Sequence, residues 1–519
     1  MALVARPFRW FYHEFGVDSI ASTGRNAYLI IISRALRMFA YGTNQLILAL
    51  FFAELNYSDY RIGLFMTLTL LGDVFLGTFL TLIADRFGRR KILFGGSFLM
   101  VMTGIIFALF ENFWILLLAA VIGVVSATGG DFGPFRTIEE SMLSQLTTPT
   151  TRSDVLAWYV TISAFGSSIG SEMSGRIIEH LRSRDMTLKA AYHSLFWIYA
   201  VMGLVNAGLV LLLTKDCEAD SNLAADNYDQ VPQDDEHTDH DSELDTRPDR
   251  GQQMPLGEPV GSKLAPAASP RAWVARWMGP ISTPTLKVVY KLWILLAIDS
   301  LADGMVPYSL TNYYIDGKFH PSKSTLGDVT SVAYFLTAIG GIFAGPMARK
   351  IGLVNTMVFT HIPSSAAVLL FPLPNYFWMA VILLFVRAGL NNMDQAPRSA
   401  LIAAVVRPEE RTAVMGITSM LRTLAATSGP MVTGFLAGGN RFWVAFVAGG
   451  AFRLTYDVGL WVIFRSIKLH QHEGGDGSDA IDGSARSRLS EEEVFALQKS
   501  DDEDDYDEEE GEGSDRSRK

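Results

Sequence analysis

The sequence predicts an all-α membrane protein in which twelve transmembrane helices form two pseudo-symmetric bundles of six. Hydrophobic residues make up 49% of the 519 residues and charged residues only 19%, too few for a soluble multidomain chain of this length. The apolar residues come in blocks of about 20, the length that a helix needs to cross a hydrocarbon core of ~30 Å. A long polar stretch separates six of these blocks from six more, which indicates two halves.

The apolar blocks define twelve predicted spans, numbered in chain order. They cover residues 33–55, 62–84, 92–110, 113–135, 155–178, 195–214, 292–315, 326–348, 354–371, 376–391, 413–437 and 442–464. The aromatic N-terminal segment that precedes them lacks the short apolar core and small residues of a secretory signal peptide. We expect this segment to lie on the membrane surface.

Polar segments divide the chain into five predicted regions. They are an interfacial segment (1–29), a first six-helix bundle (30–214), an acidic linker that ends in an interfacial helix (215–290), a second bundle (291–464) and a disordered acidic tail (465–519). The linker carries a net charge of −7 and the tail −10, so the membrane body carries +6 of the total of −11. The negative total argues against a nucleic-acid binder. The single cysteine, Cys217, excludes an intramolecular disulfide and a Cys-based metal cluster.

A short basic loop at residues 85–91 sets the predicted orientation. Loops rich in Lys and Arg favour the cytoplasmic side of a membrane. An even number of spans then places both termini on that same side. We therefore expect both termini, the linker and the tail in the cytosol. We also expect a monomer, in the plasma membrane rather than in an organelle membrane.

Three short patterns recur between the two halves at a nearly constant offset. The pairs are Ala40-x-Gly42 with Ala302-x-Gly304, Ala84-x-x-x-Gly88 with Ala348-x-x-x-Gly352, and Asp131-x-x-Pro134 with Asp394-x-x-Pro397. Each match is weak alone, but three in order indicate an internal duplication. Two such halves, related by an axis along the membrane normal, are a known plan that places a binding site at the midplane between them.

The loop after span 2 reads Thr-Leu-Ile-Ala-Asp-Arg-Phe-Gly-Arg-Arg-Lys over residues 81–91. Together with twelve spans split by a central loop, it resembles the major facilitator superfamily over about residues 30–464. The resemblance implies transport by alternating access, with a gating loop that latches onto the start of span 11 near Thr412. The implied gating residues are Asp85, Arg86, Gly88, Arg89 and Arg90.

The latch has a physical basis, because a carboxylate at a helix end can bind the positive N-terminus of a neighbouring helix. Alternatively, the basic loop only sets topology by attraction to anionic lipid. The second copy of the loop has Arg349 where the first has Asp85, so we expect the latch in the first half only. Residues 130–141 resemble a fungal and bacterial subgroup whose substrates are unassigned.

Asp73 is an ionisable residue at membrane depth, about 18 Å from Asp85 along the helix. Charges at this depth are functional candidates by default. A lone carboxylate is favoured in its protonated form and could carry a proton. Its repeat counterpart is Thr337, so this group belongs to one half only. The alternative is a carboxylate that binds neighbouring hydroxyls or an arginine and holds helices together.

Further candidates lie on helices that, by the resemblance, line a central cavity. They are Arg37 in span 1, Asp131 in span 4, Asp299 and Asp303 in span 7, and Arg387 and Asp394 in span 10. Arg37 and Asp299 are repeat counterparts, and we hypothesise that they pair across the pseudo-twofold axis. Alternatively, Arg37 extends to the headgroups, and Asp131 belongs to a gate.

Two opposite-charge pairs stand at i, i+4 within one helix, where they can neutralise each other. They are Glu172 with Arg176 and Arg453 with Asp457. We expect both pairs to be structural, and His361 in span 9 to be a packing residue rather than a proton relay.

These features favour a secondary active transporter that moves a small solute and is coupled to protons. The alternatives are a facilitative uniporter, or a transporter-like sensor that signals through its tail. A nucleotide-binding loop is not present in the sequence, and we find no cluster typical of a membrane enzyme. We therefore expect no catalytic residue, metal or cofactor. The expected partners are a small-molecule substrate, protons and the lipid bilayer.

Overall fold

The computed structural model describes residues 17–123, 134–148, 151–218, 283–406 and 411–464, and the regular elements in these ranges are all helices. A short helix, Val17–Thr23, precedes the spans. Span 1 is Arg25–Glu54, span 2 Asp59–Phe87, span 3 Arg89–Leu109, span 4 Phe113–Ile122 with Pro134–Leu146, span 5 Arg152–Arg182, span 6 Leu188–Leu211, span 7 Thr283–Met305 with Tyr308–Phe319, span 8 Lys323–Ile351, span 9 Leu353–Leu370, span 10 Phe377–Asn391 with Gln395–Val405, span 11 Arg411–Gly438 and span 12 Phe442–Phe464.

Two spans of the second half are interrupted. Span 7 breaks at Val306 and Pro307, because proline has no backbone N–H to continue the helix. Span 10 continues beyond its predicted end at Asn391, through a 3-10 turn at Asn392–Asp394 and then a further helix to Val405. The polar Asn-Asn-Met-Asp run explains why hydropathy alone stops at this turn.

The helix ends define two faces of the bundle. The terminal face holds Val17, Phe464 and the joints between spans 2 and 3 and between spans 8 and 9. The opposite face holds the connections at 55–58, 110–112, 183–187, 320–322, 371–376 and 439–441.

Spans 2, 3, 6, 8, 9 and 12 are long and apolar enough to cross a membrane by length and composition. Spans 1 and 5 are less apolar because they bury polar side chains, such as Asn44 and Ser171, inside the bundle. Large apolar side chains, including Phe75, Trp114 and Phe435, are exposed on the outside. This is the inverse of a soluble protein and suits a lipid environment.

The internal repeat is visible in the backbone. Gly88 and Gly352 join spans 2 and 3 and spans 8 and 9, with φ of 96° and 88° respectively. Only glycine adopts this conformation without strain. A Cβ on Gly42 would overlap a carbonyl of span 5, and a Cβ on Gly304 would overlap a carbonyl of span 11. The two halves, spans 1–6 and spans 7–12, therefore repeat the same joints and the same close helix contacts.

The halves meet at a seam near the opposite face. Two glycine pairs, one between spans 2 and 11 and one between the repeat-related spans 8 and 5, bring backbones together there. A Cβ on Gly63 would lie 2.9 Å from Gly434 Cα, and one on Gly175 would lie 3.0 Å from Gly327 Cα. Polar contacts flank these pairs: Tyr313 donates to Asp59 at 2.6 Å, Ser168 to the Ser331 carbonyl at 2.9 Å, and Arg176 to Asp328 at 3.1 Å.

The buried apolar core is shared by the two halves at one face of the bundle and is separate at the other. Near the opposite face, one cluster includes residues of both halves. Near the terminal face, the described residues form two clusters, one confined to the first half and one to the second. The bundle is thus closed at the opposite face and divided at the terminal face.

We predict that Gly63→Leu prevents closure of the seam, because the added side chain meets backbone atoms of span 11 that cannot move aside. A cysteine at Thr67, beside Met431 of span 11, reports on this in a Cys217→Ser background. The substitution should raise the labelling rate of this cysteine by a membrane-impermeant maleimide severalfold.

Gly208→Leu is the matched control, because a Cβ at Gly208 would meet nothing within 4 Å. It should leave the labelling rate unchanged. Equal rates in the Gly63→Leu protein and the unsubstituted protein would contradict the closed seam.

Candidate functional site

Asp73 in span 2 is a carboxylate buried inside the bundle. The residue is 1% exposed, and neither carboxylate oxygen has a hydrogen-bond partner among the described residues. Tyr41 and Tyr199 lie within electrostatic reach of this carboxylate. The hydroxyl or arginine partner of the alternative interpretation is not found among the described residues.

Tyrosines connect the two halves at a similar depth. Tyr334 of span 8 donates a hydrogen bond to Gln45 of span 1. The ring of Tyr308, the first residue after the break in span 7, lies 4.8 Å from the ring of Tyr334. The Tyr308 hydroxyl also lies 3.5 Å from the hydroxyl of Thr337. Thr337 is the repeat counterpart of Asp73. Tyr41 of span 1 extends this group into the first half. We call Tyr41, Tyr308 and Tyr334 the tyrosine layer.

Arg387 of span 10 lies at the edge of this layer. Its guanidinium stands 5.5 Å from the centre of the Tyr308 ring. It donates to the Val306 carbonyl at 2.5 Å and to Thr311 at 3.2 Å. The break in span 7 leaves the Val306 carbonyl without a continuing helix, and Arg387 satisfies it.

A polar network braces the first half. Arg37 binds Glu139 of span 4 at 2.5 Å, and Tyr159 of span 5 donates to the same carboxylate at 2.8 Å. Arg37 also donates to Ser33, which in turn binds Asn206 of span 6. The hypothesised pair of Arg37 and Asp299 is therefore wrong. Arg37 does not extend to the headgroups either, because it is buried against a carboxylate of its own half.

The second half contains a larger ionic network among spans 7, 9, 10 and 12. Asp299 is fully buried, with Arg398, Arg453 and His361 at 3.8–4.0 Å. Arg398 forms an ion pair with Asp394. The four spans are thereby tied together around Asp299.

Arg453 and His361 extend this network. Arg453 binds Asp303 at 3.2 Å rather than Asp457, so the predicted pairing within span 12 is wrong. Asp457 instead accepts from His361 at 2.7 Å and from Ser365 at 2.8 Å. Arg453 also approaches His361 Nε2 at 3.0 Å. Both ring nitrogens of His361 therefore have a polar partner, which makes it a satisfied group of the network.

The pair Glu172 and Arg176 is confirmed, at 2.6 Å. It stands near the opposite face and extends to Asp328 of the second half. It is therefore both an intrahelical pair and a seam contact.

The gating loop is anchored by a residue that sequence reasoning missed. Glu218, just after span 6, accepts from the N–H groups of Arg89 at 2.6 Å and Arg90 at 3.4 Å, at the first turn of span 3. A carboxylate is favoured there by the helix dipole. Gln145 links Arg89 to the carbonyl of Glu218. Burial raises the pKa of the neighbouring Cys217 thiol to about 11.

Some predicted residues cannot be compared with the structure. Asp131 lies outside the described residues, and so do the side chains of Asp85 and Arg86. Gly88 adopts the positive φ given above.

The brace of the first half supports a prediction on stability. Glu139→Gln leaves the buried Arg37 without a counter-charge and should lower the free energy of unfolding by about 3–5 kcal/mol. Glu140→Gln is the matched control, since Glu140 and its partner Arg136 are each 35% exposed. The control should cost about 0–1 kcal/mol. Unfolding in detergent micelles measures both, and equal losses would contradict a buried brace.

The arrangement has features of a membrane transport site. Ionic networks stabilise each half internally, and the halves contact each other along a seam of small residues. Polar groups that lack a partner among the described residues lie at mid-depth between the halves. In a helix bundle with an internal repeat, such a midplane position holds the solute.

Comparison with known proteins agrees with this geometry. An uncharacterized membrane protein of Saccharomyces cerevisiae is 29% identical over 446 residues, which are 85% of this chain and 95% of that protein. Among solved structures, a bacterial homologue of the human lysosomal transporter Spinster superposes with a TM-score of 0.60 at 14% identity, over 86% of this chain and 97% of that one. The xylose transporter XylE from E. coli superposes with a TM-score of 0.58 at 12% identity, over 86% and 99%.

These structural likenesses show a shared fold. The family model of the Major Facilitator Superfamily matches residues 30–279 and 292–497, which is most of the chain. The protein is a member of the Major Facilitator Superfamily.

Proposed function

We propose that this membrane transporter is a proton-coupled secondary transporter, which moves a small solute by alternating access between its two halves. Membership of the family and the fold support membrane transport. Transporters of this fold carry solutes as different as nucleosides and xylose, so the fold does not choose the solute. The proposal on coupling depends on Asp73.

The burial of Asp73 supports proton coupling, because few charge states of this carboxylate are favourable there. An ionised carboxylate without a partner is costly in a membrane interior. The carboxylate can be neutralised by a proton, or by a cation that arrives with the solute. Gain and loss of a proton would therefore follow access of Asp73 to the two sides of the membrane. In the brace of the first half, by contrast, Arg37 and Glu139 compensate each other and need no proton.

The closed seam supports a state that receives solute from the terminal face. Opening the opposite face requires the glycine pairs to separate, while the terminal face closes. We propose that the gating loop, with Asp85 at the end of span 2, then latches onto the start of span 11. Glu218 would hold the loop in place on the first half during this exchange.

The domain boundaries and the orientation given by the sequence are retained as proposals. They are an N-terminal segment (1–29), two bundles (30–214 and 291–464), a cytosolic linker (215–290) and a cytosolic tail (465–519). The terminal face is then the cytosolic face of the plasma membrane, and the protein works as a monomer.

We predict that Asp73→Asn abolishes accumulation of solute against its gradient but retains solute exchange, because the amide cannot take up or release a proton. A solute screen in proteoliposomes, with and without an imposed proton gradient, supplies the substrate. Counterflow without a gradient then measures exchange.

The matched control is Asp185→Asn, which removes an exposed carboxylate in the connection at 183–187 on the opposite face. It should leave gradient-driven accumulation intact. Accumulation by the Asp73→Asn protein at the rate of the unsubstituted protein would refute coupling through Asp73. Flux that ignores the proton gradient in the unsubstituted protein would favour a uniporter.

A further inference from the structure

We propose that Arg387 is the anion-binding group of the transport site, and that the solute is a small organic carboxylate with a flat apolar body. This inference rests on the proposed transport function and adds the chemical class of the substrate. It depends on a buried arginine without an ion pair among the described residues, on an unused hydrogen-bond donor and on the tyrosine layer.

The charge of Arg387 is not compensated by an ion pair. The residue is 7% exposed and lies about 15 Å from the start of span 10. Among the described residues, carboxylates within 4 Å are found for Arg37, Arg398 and Arg453, but not for Arg387. Asp303 is within electrostatic reach of Arg387. It is engaged by Arg453 at 3.2 Å, so Arg387 has no ion-pair partner of its own among the described residues.

The hydrogen bonds of Arg387 do not remove this charge. Its acceptors are a carbonyl and a hydroxyl, which are neutral groups. The carbonyl end of the preceding helix adds at most about half a negative charge. A buried cation in this position favours a ligand with a carboxylate, which arginine can bind through two parallel hydrogen bonds.

Gln45, beside the tyrosine layer, offers a donor that lacks an acceptor among the described residues. The Gln45 amide accepts from Tyr334, but its Nε2 donor has no partner, although the residue is only 2% exposed. Tyr334 lies within electrostatic reach of both Tyr41 and Arg387. A buried donor without an acceptor suits a ligand that supplies an oxygen acceptor.

The remaining surface of the layer is aromatic. The rings of Tyr308 and Tyr334 are 4.8 Å apart and stand between Arg387 and the first half. Aromatic side chains favour a flat apolar body in offset or edge-to-face contact. The solute would thus place its carboxylate at Arg387 and its body against the tyrosines. A proton on Asp73 would make the transported pair electrically neutral.

Arg387 also stabilises the break in span 7, and the experiment must separate this role from anion binding. Arg387→Gln removes the charge but keeps amide N–H groups for the Val306 carbonyl. Arg387→Lys keeps the charge but loses the two-pronged geometry. Gln45→Leu leaves Arg387 intact and removes the unused donor.

The test measures the melting temperature of the full-length protein in detergent against increasing benzoate and phenylacetate, with benzamide and phenylacetamide as neutral controls. We expect the acids, but not the amides, to stabilise the unsubstituted protein. The apparent affinity should fall about tenfold or more in Arg387→Gln. It should fall by less in Arg387→Lys and Gln45→Leu, and all variants should keep a cooperative melting transition.

Several results would overturn the inference. They are equal stabilisation by acids and amides, full stabilisation of the Arg387→Gln protein by the acids, and no stabilisation by either acid. If Arg387→Gln fails to fold, the lysine and leucine variants decide, because both should weaken acid binding.

Uptake in proteoliposomes separates this inference from the proposed function. Arg387-dependent acid uptake that ignores the proton gradient would refute coupling and leave the anion site standing. Gradient-driven uptake of a neutral solute, unchanged in Arg387→Gln, would refute the anion site and leave coupling standing.

Discussion

The central physical constraint in this protein is that a charge inside the membrane must be compensated close by. Each half meets this constraint with its own side chains. Arg37 finds Glu139 in the first half, and Asp299 lies among Arg398, Arg453 and His361 in the second. Removing one partner of a buried pair is expensive, so these networks hold each half together as a unit. The seam between the halves has glycine contacts, hydrogen bonds from hydroxyl groups and the exposed ion pair of Arg176 with Asp328, which are cheaper to separate.

Asp73 and Arg387 differ from these networks, because neither has an ion-pair partner among the described residues. Asp73 and Arg387 lie at mid-depth, one in each half, and the tyrosine layer stands between them. We propose that a proton and the solute compensate their charges. The braced networks lie nearer the terminal face and contribute to rigidity, whereas the mid-depth layer is where a proton and a solute could be handled.

The sequence predicted the architecture well because hydropathy and the repeat report on features that depend on local order. Gly88 and Gly352 were matched by offset, and both adopt positive φ at equivalent joints. The partners of buried charges were harder to predict. An offset identifies equivalent positions, but equivalent positions touch only if they lie near the symmetry axis. Arg37 instead binds Glu139, which is distant in sequence and close in space.

The same reasoning explains two contrasting outcomes within single helices. Glu172 and Arg176 pair as expected because they stand near the surface, where few other partners compete. Arg453 and Asp457 have the same spacing but are fully buried, and span 9 offers His361 and Ser365 to the aspartate. Spacing thus predicts pairing at the surface, while tertiary contacts decide it in the interior. Glu218 was missed because its role depends on a helix N-terminus brought close only by folding.

The break in span 7 has a mechanical consequence. Residues 283–305 belong to the ionic brace through Asp299, while residues 308–319 touch the first half through Tyr313. A helix without a continuous hydrogen-bond ladder bends more easily than an intact one. Span 7 therefore consists of two helical segments that can bend relative to each other at residues 306 and 307, and Arg387 contacts this break. A ligand that drew Arg387 away from the Val306 carbonyl would remove a hydrogen bond at this break. Binding of the ligand would then make span 7 easier to bend.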